Sequence, residues 1–98
     1  MLKIVRTAEF NRWIGALRDR QAKVRILVRI DRLASGNPGQ TRSLAGGVEE
    51  MKIDYGPGYR VYYTRRGNLL VVMLCGGNKK TQQQDIEQAM RMARSLEV

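Results

Sequence analysis

The seven-residue run LLVVMLC, Leu69 to Cys75, constrains this chain more than any other stretch. It is apolar at every position and is closed off by Asn68 and Gly76. A helix that crosses a bilayer needs about 20 such residues, so the run is too short to span a membrane. A strand with water on one side alternates apolar and polar residues, whereas a strand covered on both sides has no reason to. The run therefore predicts a strand at the centre of a sheet, and the rest of the chain must supply its neighbours.

Two neighbours stand just upstream. VEEMKIDY (Val48 to Tyr55) alternates, with Met51, Ile53 and Tyr55 on one side, and YRVYYT (Tyr59 to Thr64) is rich in aromatic and β-branched residues. The connections Gly56-Pro57-Gly58 and Arg66-Gly67-Asn68 are short, which predicts an antiparallel meander. LKIVR (Leu2 to Arg6) reads as a further short strand. Thr7 then suits an N-cap, with Phe10, Trp13, Ile14 and Leu17 at helical spacing behind it. After a polar junction, RDRQ, a second helix is predicted from Gln21 to Ala34, where SGNPG stops it. Its apolar arc is Ile26, Leu27, Ile30, Leu33 and Ala34, with Arg25, Arg29 and Arg32 together on the opposite side. Residues 35–47 read as a connecting loop. Thr81 with Gln84 resembles a capping box opening a last helix, with Ile86, Ala89, Met90, Ala93 and Leu96 inward. The order β-α-α-β-β-β-α predicts one α+β domain over residues 1–98. It has a small antiparallel-rich sheet, an N-terminal helical hairpin and a C-terminal helix, with the helices against one sheet face.

Eighteen Lys and Arg against nine Asp and Glu give a net charge of +9. A field of that sign attracts phosphate polymers and acidic proteins. Histidine is absent, which excludes every His-dependent triad and leaves acid–base work to Lys, Arg, Tyr, Asp or Glu. No Cys/His cluster suits zinc and no phosphate-binding loop pattern occurs, so neither metal nor cofactor is expected. The single cysteine, Cys75, lies in an apolar setting and reads as core. With no apolar leader segment in MLKIVRTAEF, a cytoplasmic protein without a membrane anchor is expected.

Strand alternation locates the candidate chemistry. Setting Ile53 opposite Val61 and Met51 opposite Tyr63 keeps apolar groups together; it pairs Lys52 with Tyr62 and Asp54 with Arg60 on the other face. Residue types alone leave two readings of that face open. One is a solvated sheet surface with an Asp54–Arg60 ion pair. The other is a phosphate site, where Arg60 grips oxygens with its planar fork, Lys52 adds a point charge, and Tyr62 stacks or donates a proton. GGNKK (Gly76 to Lys80) leads into a helix N-terminus, where backbone amides with Lys79 and Lys80 suit an anion, or form an ordinary basic turn. The Arg25/Arg29/Arg32 stripe is either a solvated helix face or a docking surface for RNA or an acidic partner.

Three segments carry a family resemblance: TAEFNRWIGALRDRQAKVRILVRIDRLASGNPG (Thr7 to Gly39), GGVEEMKIDYGPGYRVYY (Gly46 to Tyr63) and LLVVMLCGGNKKTQQQDIEQA (Leu69 to Ala89). Together they resemble the RelE/ParE superfamily of type II toxins, and within it the HigB-like branch of addiction-module killer proteins. YGPGYRVYY followed by LCGGNKKTQ is the most specific part of the match.

The resemblance implies a toxin that cleaves mRNA in the ribosomal A site by attack of a 2′-hydroxyl on the adjacent phosphate. It implies as partners the ribosome, its mRNA and a cognate antitoxin, a small helix-turn-helix protein. Arg60 matches the arginine opening the middle strand of RelE-type nucleases, Lys52 a basic residue of the strand before, and Lys80 a basic residue just past the last strand, with Lys79 beside it. Lys79, Arg25, Arg29 and Arg32 are then expected to contact RNA or ribosome. The C-terminal tyrosine of RelE has no counterpart; that region reads TQQQDIEQ, with Ile86 near its place. The histidines of several other HigB nucleases are missing too. By proximity, Tyr62, or a Lys52 whose pKa is lowered by surrounding cations, is expected to move the proton. Two rival functions fit the same chain: a ParE-like inhibitor of DNA gyrase without nuclease chemistry, and a basic RNA-binding module without activity.

Overall fold

The computed structural model describes residues 1–96. Its elements are β1 (Lys3–Arg6), α1 (Ala8–Ala16), α2 (Arg20–Ala34), β2 (Thr41–Ser43), β3 (Val48–Ile53), β4 (Tyr59–Arg66), β5 (Leu70–Gly77) and α3 (Gln82–Ser95), with single 3-10 turns at Ala45–Gly47 and Lys79–Thr81. The predicted order is present, with one addition: Thr41–Ser43, inside the expected 35–47 loop, forms an edge strand. The five strands lie in the order β1-β5-β4-β3-β2. All neighbours run antiparallel except β1 and β5, which are parallel.

The doubly apolar β5 is covered on both faces, so the expectation of helices against one sheet face is corrected. Phe10 and Ile14 of α1 and Ile26, Ile30 and Leu33 of α2 pack with Met51, Ile53, Val61, Tyr63, Val71 and Met73. On the opposite face Ala89 and Ala93 of α3 pack with Val48, Tyr62, Val72, Leu74 and Cys75, joined by Ile86, Met90 and Leu96. A strand that is apolar at every position must bury both of its faces, and three amphipathic helices divided two and one achieve this. Leu27, expected in the inward arc of α2, is 39% exposed on its outer side. Among the described residues no helix is long and apolar enough to cross a membrane.

Alternation along β5 breaks at one point. Tyr62 pairs with Cys75 but Tyr63 pairs with Met73, so Leu74 is an extra residue, a β-bulge. Leu74 and Cys75 consequently both pack on the α3 side. The Thr7 hydroxyl donates to the carbonyl of Leu74 at 2.7 Å while accepting from the Phe10 amide at 3.0 Å as the predicted N-cap. Past the bulge, Gly76 faces α1 and Gly77 faces α3, and neither tolerates a side chain. A Cβ at Gly76 would lie 2.5 Å from the Trp13 ring, and one at Gly77 would lie 1.8 Å from Asp85 Oδ2.

The cap of α3 also differs from expectation. Thr81 is the N-cap position of α3 but makes no side-chain cap bond; instead the Asn78 side chain accepts from the amides of Lys80 and Thr81, and the Asn78 amide donates to Thr81 Oγ1. Thr81 Oγ1 donates to Asp85 Oδ2 at 2.5 Å. The capping box therefore sits on the 3-10 turn, one turn earlier than Thr81 and Gln84 suggested.

Candidate functional site

The β3–β4 register is displaced by two residues from the expected one. Met51 pairs with Val61, Glu50 with Tyr62, and Lys52 with Arg60. A shift of two keeps every side chain on its face, so Lys52, Arg60 and Tyr62 still share one face, but their partners change. Asp54 falls beyond the end of β3, exposed, and makes no ion pair with Arg60. The expected Asp54–Arg60 pair does not exist. Two cations stand directly opposite each other instead, an arrangement that costs energy unless something negative lies between them.

That face opens into a cleft of about 420 Å³ lined by Gln40, Thr41, Arg42, Glu50, Lys52, Arg60 and Gln82. Arg60 is only 7% exposed. Its Nη1 donates to the carbonyl of Gly58 at 2.7 Å, its Nε is buried without a partner, and no carboxylate among the described residues lies within ion-pairing distance. Burying a guanidinium with unused donors is costly unless something negative compensates it. Gly58 makes this placement possible: it has φ +75°, and a Cβ there would lie 3.1 Å from Arg60 Nη1 and 3.7 Å from Lys79 Cβ. The Lys79 amide donates to the Pro57 carbonyl at 3.4 Å, which ties the 3-10 turn to this loop. Lys79 and its exposed neighbour Lys80 thus stand outside the cleft lining, Lys79 beside Gly58. The backbone amides proposed to bind an anion there are already taken, since Asn78 occupies those of Lys80 and Thr81.

Glu50 has no local signal of its own, and among the described residues it is the one carboxylate in the cleft lining. It is 4% exposed and accepts three bonds: from Arg42 Nε at 2.7 Å, from the Tyr62 hydroxyl at 3.1 Å and from Gln82 Nε2 at 3.0 Å. Burial pushes its pKa up, but the bonds from Arg42, Gln82 and Tyr62 outweigh burial and hold it below the ordinary value of 4.5. Alternation could have found it, since Glu50 lies two residues before Lys52 on the same face. Arg42 was hidden because β2 has three residues inside a glycine-rich stretch, and Gln82 because only tertiary folding brings α3 over β3.

The sign of the Glu50 shift predicts a pH dependence. A carboxyl whose folded pKa is depressed contributes stability that is complete above the unfolded value and lost as pH falls through the folded one. Thermal melts should therefore show a loss of stability below about pH 4.5 that Glu50→Gln abolishes. At neutral pH the same variant should be less stable by about 1–3 kcal/mol, because Arg42, Tyr62 and Gln82 lose a charged acceptor.

Tyr62 was expected on a solvated face and is instead fully buried beneath α3. Burial, followed by the charge of Glu50 and the bond to it, raises its phenol pKa strongly, with Arg60 opposing. A proton so firmly held is a support for Glu50 and a poor one to exchange. Tyr62→Phe is expected to cost about 1 kcal/mol of stability and to reduce any phosphate chemistry by less than about 5-fold. A loss of 100-fold or more, the ordinary effect of removing a general acid or base, would restore Tyr62 as the proton carrier.

The arginine stripe of α2, Arg25, Arg29 and Arg32, lines one concavity with Val24, Val28, Ile53, Asp54 and Tyr55. It lies across the sheet from the cleft, and its members have separate tasks. The Arg25 guanidinium stacks on the Tyr55 ring at 4.5 Å. Arg29 donates to the carbonyls of Lys52 at 2.8 Å, Pro38 at 3.1 Å and Gln40 at 3.1 Å. Arg32 is exposed.

With this geometry in view, comparison with known proteins locates the chain. A family model described as Phage derived protein Gp49-like matches residues 12–96. The chain belongs to the Gp49-like family. This family is associated with toxin–antitoxin modules and related to addiction-module toxins, which implies an antitoxin as partner. The Gp49-like protein is also 43% identical, over 95 residues, to an uncharacterized protein of Haemophilus influenzae, covering 97% of this chain and 96% of the other. The α+β architecture agrees with a RelE-like fold.

Proposed function

We propose that this Gp49-like protein is the toxin of its module and acts as an endoribonuclease on ribosome-bound mRNA. One observation carries the reading: Arg60, buried and with no counter-ion among the described residues, stands beside Lys52 in a cleft whose described lining holds one ionised carboxylate. Two cations and one base are the groups that cleavage by a neighbouring 2′-hydroxyl requires. The 2′-oxygen bonds to phosphorus as the bond from phosphorus to the 5′-oxygen breaks, which leaves a 2′,3′-cyclic phosphate and a 5′-hydroxyl. Arg60 spans the non-bridging oxygens and neutralises the charge that develops on them. A carboxylate offers about four lone-pair sites, and three on Glu50 are in use, so one remains to take the 2′-hydroxyl proton. The Lys52 ammonium supplies a proton to the departing 5′-oxygen. The ribosome orders the message, and Lys79 and Lys80 lie outside the cleft to meet the RNA backbone.

Inducible expression followed by mapping of transcript 5′ ends tests this directly. The expected result is growth arrest with new 5′-hydroxyl ends inside translated codons. Intact messages accompanied by a DNA-damage response would instead identify a gyrase poison, and RNA binding without arrest or cleavage an inactive binding module.

A further inference from the structure

We propose that Arg29 is a positioning residue for the cleft, holding from the far side of the sheet the backbone that carries Lys52 and Gln40. The proposal deepens the nuclease reading, in which Lys52 acts at the phosphate. Lys52 and Gln40 lie at the open end of the β2–β3 pair, where a three-residue edge strand contributes little stability of its own. One direct bond closes that end, from the Lys52 amide to the Gln40 carbonyl at 3.2 Å. Arg29 adds three more: Nη1 to the Lys52 carbonyl, and Nη2 to the carbonyls of Gln40 and Pro38. The Gln40 carbonyl therefore accepts from both Lys52 and Arg29, which locks β2 and β3 to one guanidinium.

The chain is wrapped tightly around this group. Gly39 has φ +72°, a strained backbone for any other residue, and a Cβ there would lie 2.9 Å from Arg29 Nη2, so a side chain would push the guanidinium aside. Arg29 Nε is buried without a partner among the described residues, a cost that an arginine serving only to meet solvent or RNA would avoid by extending outward. Three carbonyls in a fixed fan suit a planar fork and not a point charge, so lysine is no substitute. Because the side chains of Lys52 and Gln40 line the cleft on the other face, movement of this backbone moves the cleft wall.

The test compares Arg29→Lys, Arg29→Ala and Arg20→Ala in the full-length protein, each first shown folded by thermal melting; should Arg29→Ala fail to fold, Arg29→Lys decides. Single-turnover cleavage of mRNA on programmed ribosomes is the first readout. Both Arg29 variants are expected to lower the maximal rate on the order of 10- to 100-fold, the scale of an ångström-sized misplacement, with the ribosome concentration for half-maximal rate changed less than about 2-fold. Arg20→Ala, at an exposed arginine of the same helix, should change neither by more than about 2-fold. Amide hydrogen exchange is the second readout: Lys52 should lose protection at least about 10-fold in both Arg29 variants and not in Arg20→Ala. Full activity in Arg29→Lys, or a shift in half-maximal concentration with the maximal rate intact, would overturn the proposal in favour of a docking role. If the unaltered protein cleaves nothing, the nuclease reading fails, and exchange alone decides Arg29: lost protection of Lys52 supports the positioning role and retained protection overturns it.

Discussion

Arg60→Met is expected to lower mRNA cleavage on the order of 10²- to 10³-fold while leaving the protein as stable as before, or more so. The two effects have one cause. Arg60 is 7% exposed, has no carboxylate within ion-pairing distance among the described residues, and stands opposite Lys52. In the absence of substrate it adds desolvation and like-charge repulsion to the folded state; with phosphate in the cleft, both become attraction. Methionine fills similar volume without charge, so its one lost bond, to the Gly58 carbonyl, is offset by relief of that cost. A gain of 1 kcal/mol would appear as a rise of about 4–8 °C in melting temperature for a chain of this size. Arg60→Lys separates charge from geometry: it keeps the cation, loses the fork and should recover only part of the rate. Melting curves together with single-turnover cleavage check the prediction. A destabilised but active Arg60→Met would assign Arg60 to structure and remove the main support for the phosphate site.

Gly77→Ala should be damaging for a different reason, and its damage should be reversible by a second substitution. Gly77 pairs with Arg60 across β4 and β5, and a Cβ there would stand 1.8 Å from Asp85 Oδ2 and 2.8 Å from Thr81 Oγ1. The Asp85 carboxylate is held by Thr81, so relief either breaks that bond or moves the first turn of α3. That turn carries Gln82, one of the three donors to Glu50. Overpacking of this kind costs about 1–3 kcal/mol, and displacement of Gln82 should lower cleavage by about 10-fold or more. Gly77→Ala combined with Asp85→Ala removes the obstruction and should regain most of both losses, a coupling of about 1–2 kcal/mol in a double-mutant cycle. A neutral Gly77→Ala, or a double variant no better than the single one, would show that the first turn of α3 yields without consequence.

Much of this molecule was legible from local pattern, and the misses share a cause. Helix and strand positions follow from spacing: Thr7 caps α1, Ile86, Ala89 and Ala93 face the core, and LLVVMLC is an inner strand. The face shared by Lys52 and Arg60 was also readable, because alternation by two survives a register error of two. Register itself was not readable. Matching Ile53 with Val61 or with Tyr59 buries apolar groups equally well, and only the geometry of the Gly56–Gly58 connection chooses between them. Tyr62 was assigned to water because nothing local announces that α3 crosses that face. Arg29 was grouped with Arg25 and Arg32 by angle around the helix, yet an arginine side chain is long enough to reach around the edge and bond a strand behind it.

The sequence by itself determined which groups this protein has to work with and on which side of each element they stand. Net charge of +9, the absence of histidine, and the placement of Lys52 and Arg60 on one strand face are properties of local chemistry and a two-residue period. The tertiary structure decided what those groups meet. It set Lys52 against Arg60 in place of Asp54, gave Glu50 its three donors from β2, β4 and α3, and buried Tyr62 beneath α3 with its hydroxyl on Glu50. The reason is that side-chain direction is fixed by the backbone within one element, whereas the partner across a cleft comes from segments up to 32 residues away in the chain and exists only once both sheet faces have been covered.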